Sequence, residues 1–432
     1  MNVPSDALRS PQRLYARIWR WHFFAALIVI PFVLWQSVTG VLYLWHREIA
    51  ALAYPELVRV IPDSRAATVE SQLAATLAHH PREHLQSIVV PNDPAASTTF
   101  FFEDSNALPY PAFTNPHTGE YLGYVASTRW IQGLSRGLHG GWPIKPWGSY
   151  LLELGACWAI VMILTGLYLW WPRNAQGLAG VLYPRLRNGS RTFWRDLHAT
   201  VGMYFAVIVL AFLFSALPWT TFWGEKVLGP IERATNQSSP VGFFFAGAHH
   251  DPANEHAHDV DSANALTLDQ IIVKAREAGA RGAIEIKPAL HGGPVNLRDD
   301  QARTSDEVWM RLDGRSGAVL MRATWDDYPP LAKAISSGID LHEGHFFGRI
   351  NQIFNTIVAV ALVWLTVTGF MGWYKRRPSG GLAAPPKRDL VLPPAVIATG
   401  LALCVVMPLF TLSLFAIEVL DRAFGRLLPQ TA

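Results

Sequence analysis

The sequence predicts an α-helical membrane protein in which duplicated two-span units form a four-helix core, a fifth span is added, and two small α+β modules fill the long loops. Three observations carry this prediction. Half of the 432 residues are hydrophobic and 16% are charged, whereas a soluble protein carries about 25% charge. Five apolar segments are long enough to cross about 30 Å of hydrocarbon. The spans also recur in order with matching flanking residues, the signature of an internal repeat. The 17 tryptophans suit interfacial belts. A net charge of +3 with no long basic run gives no support for nucleic-acid binding. The two cysteines, Cys157 and Cys404, lie in apolar runs. That excludes a disulfide framework, a cysteine-rich zinc module, an iron–sulfur cluster and a covalent CxxCH haem site.

Residues 1–21 are expected to be a cytoplasmic N-terminus carrying Arg9, Arg13, Arg17 and Arg20, followed by the first span over 22–46. The remaining spans are expected over 148–171, 198–219, 352–374 and 392–417. Connection 172–197 carries Arg173, Arg185, Arg187, Arg191 and Arg195, and connection 375–391 carries Lys375, Arg376, Arg377, Lys387 and Arg388. The positive-inside rule puts these connections and the N-terminus in the cytoplasm. The home is then a bacterial inner membrane, with loops 47–147 and 220–351 and the tail 418–432 in the periplasm. The first span reads as retained, because the apolar stretch is long and Trp45-His46-Arg47-Glu48 separates it from Ala51-Leu52-Ala53.

Both long loops share one grammar. In the first, Ala66 to His79 has helical spacing, Leu85 to Val90 and Ser97 to Phe102 read as strands, and a hairpin over 110–122 turns at Asn115…Gly119. In the second, Leu266 to Ala278 is helical, Gly282 to Ile286 is strand-like, and a hairpin over 308–320 turns at Asp313…Gly317. Each loop is expected to fold as its own small module.

The repeat carries histidines. Arg20-Trp21-His22 opens the first span and Asp196-Leu197-His198 the third. Leu138-His139-Gly140 precedes the second and Leu341-His342-Glu343-Gly344 the fourth. Two copies related by an axis along the membrane normal would bring His22 to His198 and His139 to His342. Paired neutral imidazoles from neighbouring helices are what a non-covalent b-type haem uses as axial ligands. His46 and His345 are spare ligands near the second pair. His46 lies about 36 Å along the helix from His22 at 1.5 Å per residue, so one haem cannot use both.

The chain resembles the PepSY-associated transmembrane-helix family, iron-regulated inner-membrane proteins that include ferric-siderophore reductases. The resemblance rests on the four histidine motifs above. It also rests on Thr165-Gly166…Trp170-Trp171-Pro172-Arg173 and Thr368-Gly369…Trp373, and it runs from about Arg17 to Arg377. The two hairpins resemble the strand-turn-strand ending of PepSY modules. The resemblance implies a four-helix core holding haem, electron transfer toward the periplasm, and ligand roles for His22, His139, His198 and His342.

The expected function is therefore an inner-membrane reductase with two b haems per chain that reduces a ferric siderophore. The electrons would come from quinol or a flavoprotein, since no nucleotide-binding glycine motif is present. No protein acid, base or nucleophile is required. The alternative is a non-redox, membrane-anchored module that binds a periplasmic partner or metal. For the metal, His249, His250, His256 and His258 form a tract with ligand-like spacing. Glu153 and Gln36, inside spans, are expected to bond between helices.

Overall fold

The computed structural model describes residues 10–173, 177–242, 265–287, 293–301, 303–377, 385 and 391–425. Among the described residues the protein is mostly helical, with four helices long and apolar enough to cross a membrane, a fifth bent apolar segment, and one antiparallel sheet. It divides into two compact units. One comprises Met1–Val38, Gly140–Leu228 and Asn355–Ala432, and the other Thr39–His139 and Gly229–Phe354.

Helix α1 (Ser10–Leu44) starts well before the apolar run, because Arg13, Arg17 and Arg20 are good helix formers that extend it. After it come α2 (His46–Ala53), α3 (Pro55–Val58), α4 (Val69–His79), strands β1 (Leu85–Val90), β2 (Thr98–Glu103), β3 (Pro109–Thr114) and β4 (Tyr121–Tyr124), and α5 (Ile131–His139). The next helices are α6 (Trp147–Trp170), α7 (Ser190–Ala216), α8 (Gly229–Ala234) and α9 (Leu268–Glu277). Strands β5 (Ala283–Lys287), β6 (Val295–Asp300), β7 (Trp309–Leu312) and β8 (Val319–Ala323) precede α10 (Pro330–Glu343), α11 (Arg349–Tyr374), α12 (Pro394–Val406) and α13 (Pro408–Gly425).

In the most hydropathic windows of α1, α6, α7 and α11 only 22–28% of residues are buried within the protein. Such apolar, outward-facing helices need lipid around them. The fifth apolar segment differs from the continuous span expected over 392–417. It breaks at Met407, where the chain bends by 115° between α12 and α13. Pro408 is the cause, since it has no N–H for the Cys404 carbonyl. The Thr411 hydroxyl donates to that carbonyl instead at 2.8 Å, and the Trp223 indole N–H donates to the Val406 carbonyl at 2.9 Å. The Glu153 carboxylate, 1% exposed inside α6, accepts the Phe222 and Trp223 amides at 3.0 and 3.2 Å.

The loop strands do not form two separate sheets. They join in one of eight strands, in the order β4-β3-β2-β1-β5-β6-β7-β8, through antiparallel pairing of β1 with β5. A single row, Ala112–Phe100–Ile88–Ile286–Leu297–Met310, runs across six strands, and every member is fully buried. Val69 of α4 and Ile271 and Ala275 of α9 cover that face. Burying these side chains is worth about 1.5–3 kcal/mol for each large aliphatic or aromatic residue. The two covering helices cap one another: the Val69 amide donates to Asp269 at 3.0 Å and the Leu268 amide donates to Glu70. Phe113, Trp130 and Ala50 pack on the opposite face at one end, and Trp309, Tyr328 and Ala332 at the other.

Both expected hairpins form. Asn115 Oδ1 accepts the His117 amide at 2.8 Å, Asp313 Oδ1 accepts the Ser316 amide at 2.7 Å, and Gly119 and Gly317 supply the positive φ. Strand β6 was not expected from the sequence. Its two terminal acids mask the alternation, but Asp299 is buried because it accepts the Arg281 and Gly282 amides.

Candidate functional site

Two histidine pairs come together. His22, near the start of the apolar part of α1, and His198 of α7 have ring centres 6.3 Å apart at an interplanar angle of 73°. His139 and His342, each in the last turn of a short helix, have ring centres 6.4 Å apart at 70°.

The surroundings of the first pair are the same twice over. His22 Nδ1–H donates to the Met162 carbonyl at 3.0 Å, with Thr165 Oγ1 at 3.1 Å. His198 Nδ1–H donates to the Leu365 carbonyl at 3.0 Å, with Thr368 Oγ1 at 3.3 Å. A carbonyl only accepts, so Nδ1 carries the proton and Nε2 keeps the lone pair in each neutral ring. Each Thr is followed by a Gly that gives the ring its room. A Cβ on Gly166 would lie 3.1 Å from His22 Cε1, and one on Gly369 would lie 3.1 Å from His198 Cε1. In the other pair, Thr39 Oγ1 holds His139 Nδ1 at 2.9 Å, and Gly40 lies against the same ring. Burial, helped by neighbouring His342, pushes the His139 pKa down to about 4, so this imidazole is neutral at pH 7.

These donor sets fit one metal centre per pair. A metal–imidazole bond is about 2 Å, and the ligating nitrogen sits about 1.1 Å from its ring centre, so two rings on opposite sides of one ion have centres about 6 Å apart. Both observed separations match. Fixing the far nitrogen on a carbonyl or hydroxyl is the outer-shell arrangement that orients ligating histidines.

His46 and His345 stand beside the second pair. His46 stacks on Tyr43 with ring centres 5.3 Å apart, and its Nδ1–H donates to the Tyr43 carbonyl at 2.6 Å. His345 Nδ1 lies 3.8 Å from Glu343 Oε2. The tract His249, His250, His256 and His258 lies outside the described residues. Among the described residues, no group of three or more His, Cys, Asp or Glu side chains has metal-binding geometry.

Sequence reasoning found the four paired histidines and the motifs Thr165-Gly166 and Thr368-Gly369, but not that these dipeptides hold the rings. Thr39-Gly40, the same dipeptide in an apolar run and likewise against a histidine ring, was the signal it passed over.

Long lipid-facing helices define a multi-pass membrane protein. The model of the PepSY-associated TM region matches residues 19–376, and the chain belongs to that family. A comparison with curated proteins finds no match.

Proposed function

We propose that the protein is an inner-membrane, di-haem b-type reductase. It takes electrons from quinol or a flavoprotein on the cytoplasmic side and reduces a ferric siderophore in the periplasm. The observation that carries this reading is the matched geometry of the two pairs, at 6.3 and 6.4 Å, with Nδ1 already engaged in His22, His198 and His139.

In this reading His22 and His198 hold one haem, His139 and His342 the other, and the two-span unit is a duplication. Bound haem supplies a one-electron redox centre. The Met162 and Leu365 carbonyls fix the tautomer of their histidines and raise the basicity of Nε2. Thr39, Thr165 and Thr368 hold the rings in place. The substrate iron gains one electron and goes from Fe(III) to Fe(II), and hard oxygen donors then hold it less tightly.

The test is the visible spectrum of the detergent-purified full chain, oxidised and dithionite-reduced, with a pyridine haemochrome assay. Two low-spin b haems per chain are expected, with His22→Ala and His139→Ala each removing about one. A colourless protein from haem-replete cells would overturn the proposal and leave a non-redox membrane anchor.

A further inference from the structure

The fifth apolar segment lies outside residues 19–376, which the family model matches, so membership of the family does not define what it does. Its break is built into the packing. Pro408 frees the Cys404 carbonyl, which accepts the Thr411 hydroxyl, and the Trp223 indole N–H reaches the Val406 carbonyl from the stretch that follows α7. Met407 is 1% exposed, in one apolar cluster with Cys157, Ile160 and Phe410. Irregular backbone at membrane depth survives where protein covers it in this way.

The two helices are too short and too sharply bent to cross. Helix α12 has 13 residues and α13 has 18, about 20 and 27 Å at 1.5 Å per residue. Joined at a bend of 115°, they span about 26 Å from end to end. That falls short of about 30 Å of hydrocarbon even with the line laid along the membrane normal. The bend exceeds a right angle, so α13 runs back along α12 instead of onward. The contacts agree. Helix α6 starts at Trp147, which puts Trp158 about 17 Å along it, near mid-membrane. Phe410 packs edge-on against Trp158 at 5.0 Å, and the Trp158 indole N–H donates to Ser413 Oγ at 3.2 Å. At Ser413, therefore, α13 is still level with the middle of α6 and has not climbed toward Trp147.

The segment meets α6 where α6 orients His22. Val161 and Leu164 pack against the same apolar cluster. The Val161 carbonyl accepts the Thr165 hydroxyl at 2.9 Å, and Thr165 Oγ1 and the Met162 carbonyl in turn face His22 Nδ1. Movement of α6 at this level would move both groups that set the ring.

We infer that α12 and α13 form a re-entrant brace. It enters from the side of the basic connection 375–391, returns toward that side, and grips α6 so that Met162 and Thr165 hold His22 in place. The effect on His22 rests on the reductase reading above, whereas the side on which α13 ends does not. A continuous fifth span would instead leave the end of α13 on the side of the two long loops.

The test uses the full chain in cells, with alkaline phosphatase, active only outside the cytoplasm, or green fluorescent protein, fluorescent only inside it. Each is fused after Gly425 or inserted after Asp63 in the first long loop. The two positions should report opposite sides, and the same side for both would overturn the inference. The grip on α6 is read by redox titration of the haem bands in the purified chain carrying Phe410→Ala and Ser413→Ala together. The component that His22→Ala abolishes should shift its midpoint while the other stays. Phe410→Leu with Ser413 intact keeps the apolar bulk and should restore the parent curve. Val405→Ala, at a side chain 79% exposed, should move neither component. Unshifted midpoints in the double variant, or equal shifts in both components, would overturn the brace. A parent without haem bands would overturn the reductase reading instead, and the reporters would still decide where α13 ends.

Discussion

Gly166→Ala separates the stability of the fold from the integrity of the site. The new Cβ would lie 3.1 Å from His22 Cε1, and relaxed carbon–carbon contacts lie at about 3.5–4.0 Å. The ring must therefore yield by about 0.5 Å, whereas metal–ligand distances hold within about 0.2 Å. The helix itself gains, because Ala is about 1 kcal/mol better than Gly in a helix interior. Pushing His22 off its rotamer costs about 0.5–1.5 kcal/mol. The two nearly cancel, so the thermal midpoint should move by no more than a few degrees. If the protein holds two haems as proposed, its haem content should nevertheless fall from two toward one per chain, measured by pyridine haemochrome on matched preparations. Gly369→Ala should do the same through His198. Gly40→Ala is the control: its Cβ would be 3.4 Å from His139 Cε1, an offset of about 0.1 Å that the ring can absorb. Full haem content with unshifted bands in both Gly166→Ala and the bulkier Gly166→Leu would refute the reasoning.

Three further predictions concern the sheet-bearing unit. Burial pushes the Glu307 carboxyl up to about 8 despite Arg298 at 3.6 Å, which is shared with Glu285 and Asp300. Between its ordinary 4.5 and about 8 the folded state holds a proton that the unfolded state has lost. Stability should therefore fall as pH rises through that window, by at most about 1.4 kcal/mol per pH unit from this group, and Glu307→Gln should flatten the unfolding profile measured between pH 5 and 8. Glu70 faces Asp269 across the reciprocal caps, and burial together with that neighbour raises its pKa. In denaturant titrations at pH 8, Glu70→Gln should stabilise slightly by keeping the acceptor without the like charge, while Glu70→Ala should cost about 1 kcal/mol by uncapping α9. Phe102, fully buried and stacked on His80 at 4.8 Å, should cost about 3–5 kcal/mol as Phe102→Ala, read in the same titrations.

Much of this fold was legible in local patterns. Long apolar runs marked α1, α6, α7 and α11, and turn chemistry at Asn115…Gly119 and Asp313…Gly317 marked the hairpins. What escaped was set by distant contacts. The β1–β5 pairing joins Ile88 to Ile286, two residues far apart in the sequence, and either strand alone reads equally well as an edge. Strand β6 ends in Asp299 and Asp300, whose acids look solvated until the amides of Arg281 and Gly282 are seen to face Asp299. The break in the fifth segment had a visible cause in Pro408. Its apolar flanks hid it, because a proline in a span is tolerated whenever neighbours satisfy the freed carbonyls, as Trp223 and Thr411 do here.

The two histidine pairs depend on different parts of the chain. His22 and His198 lie on long apolar helices of one unit, and their partners Met162, Thr165, Leu365 and Thr368 come from the same unit. His139 and His342 end α5 and α10 in the unit that contains the sheet, and Thr39 belongs there too. Loss of packing under Phe102 should loosen the second pair before the first, since local opening follows local stability. The backbone around the second pair is anchored by single contacts such as the Asp340 carboxylate, which accepts the Thr304 amide at 3.1 Å and its hydroxyl at 2.9 Å. The first pair instead hangs on the long helices α1 and α7. The two similar imidazole pairs therefore have different supports: one rests on the long helices, the other on α5 and α10 of the sheet-bearing unit.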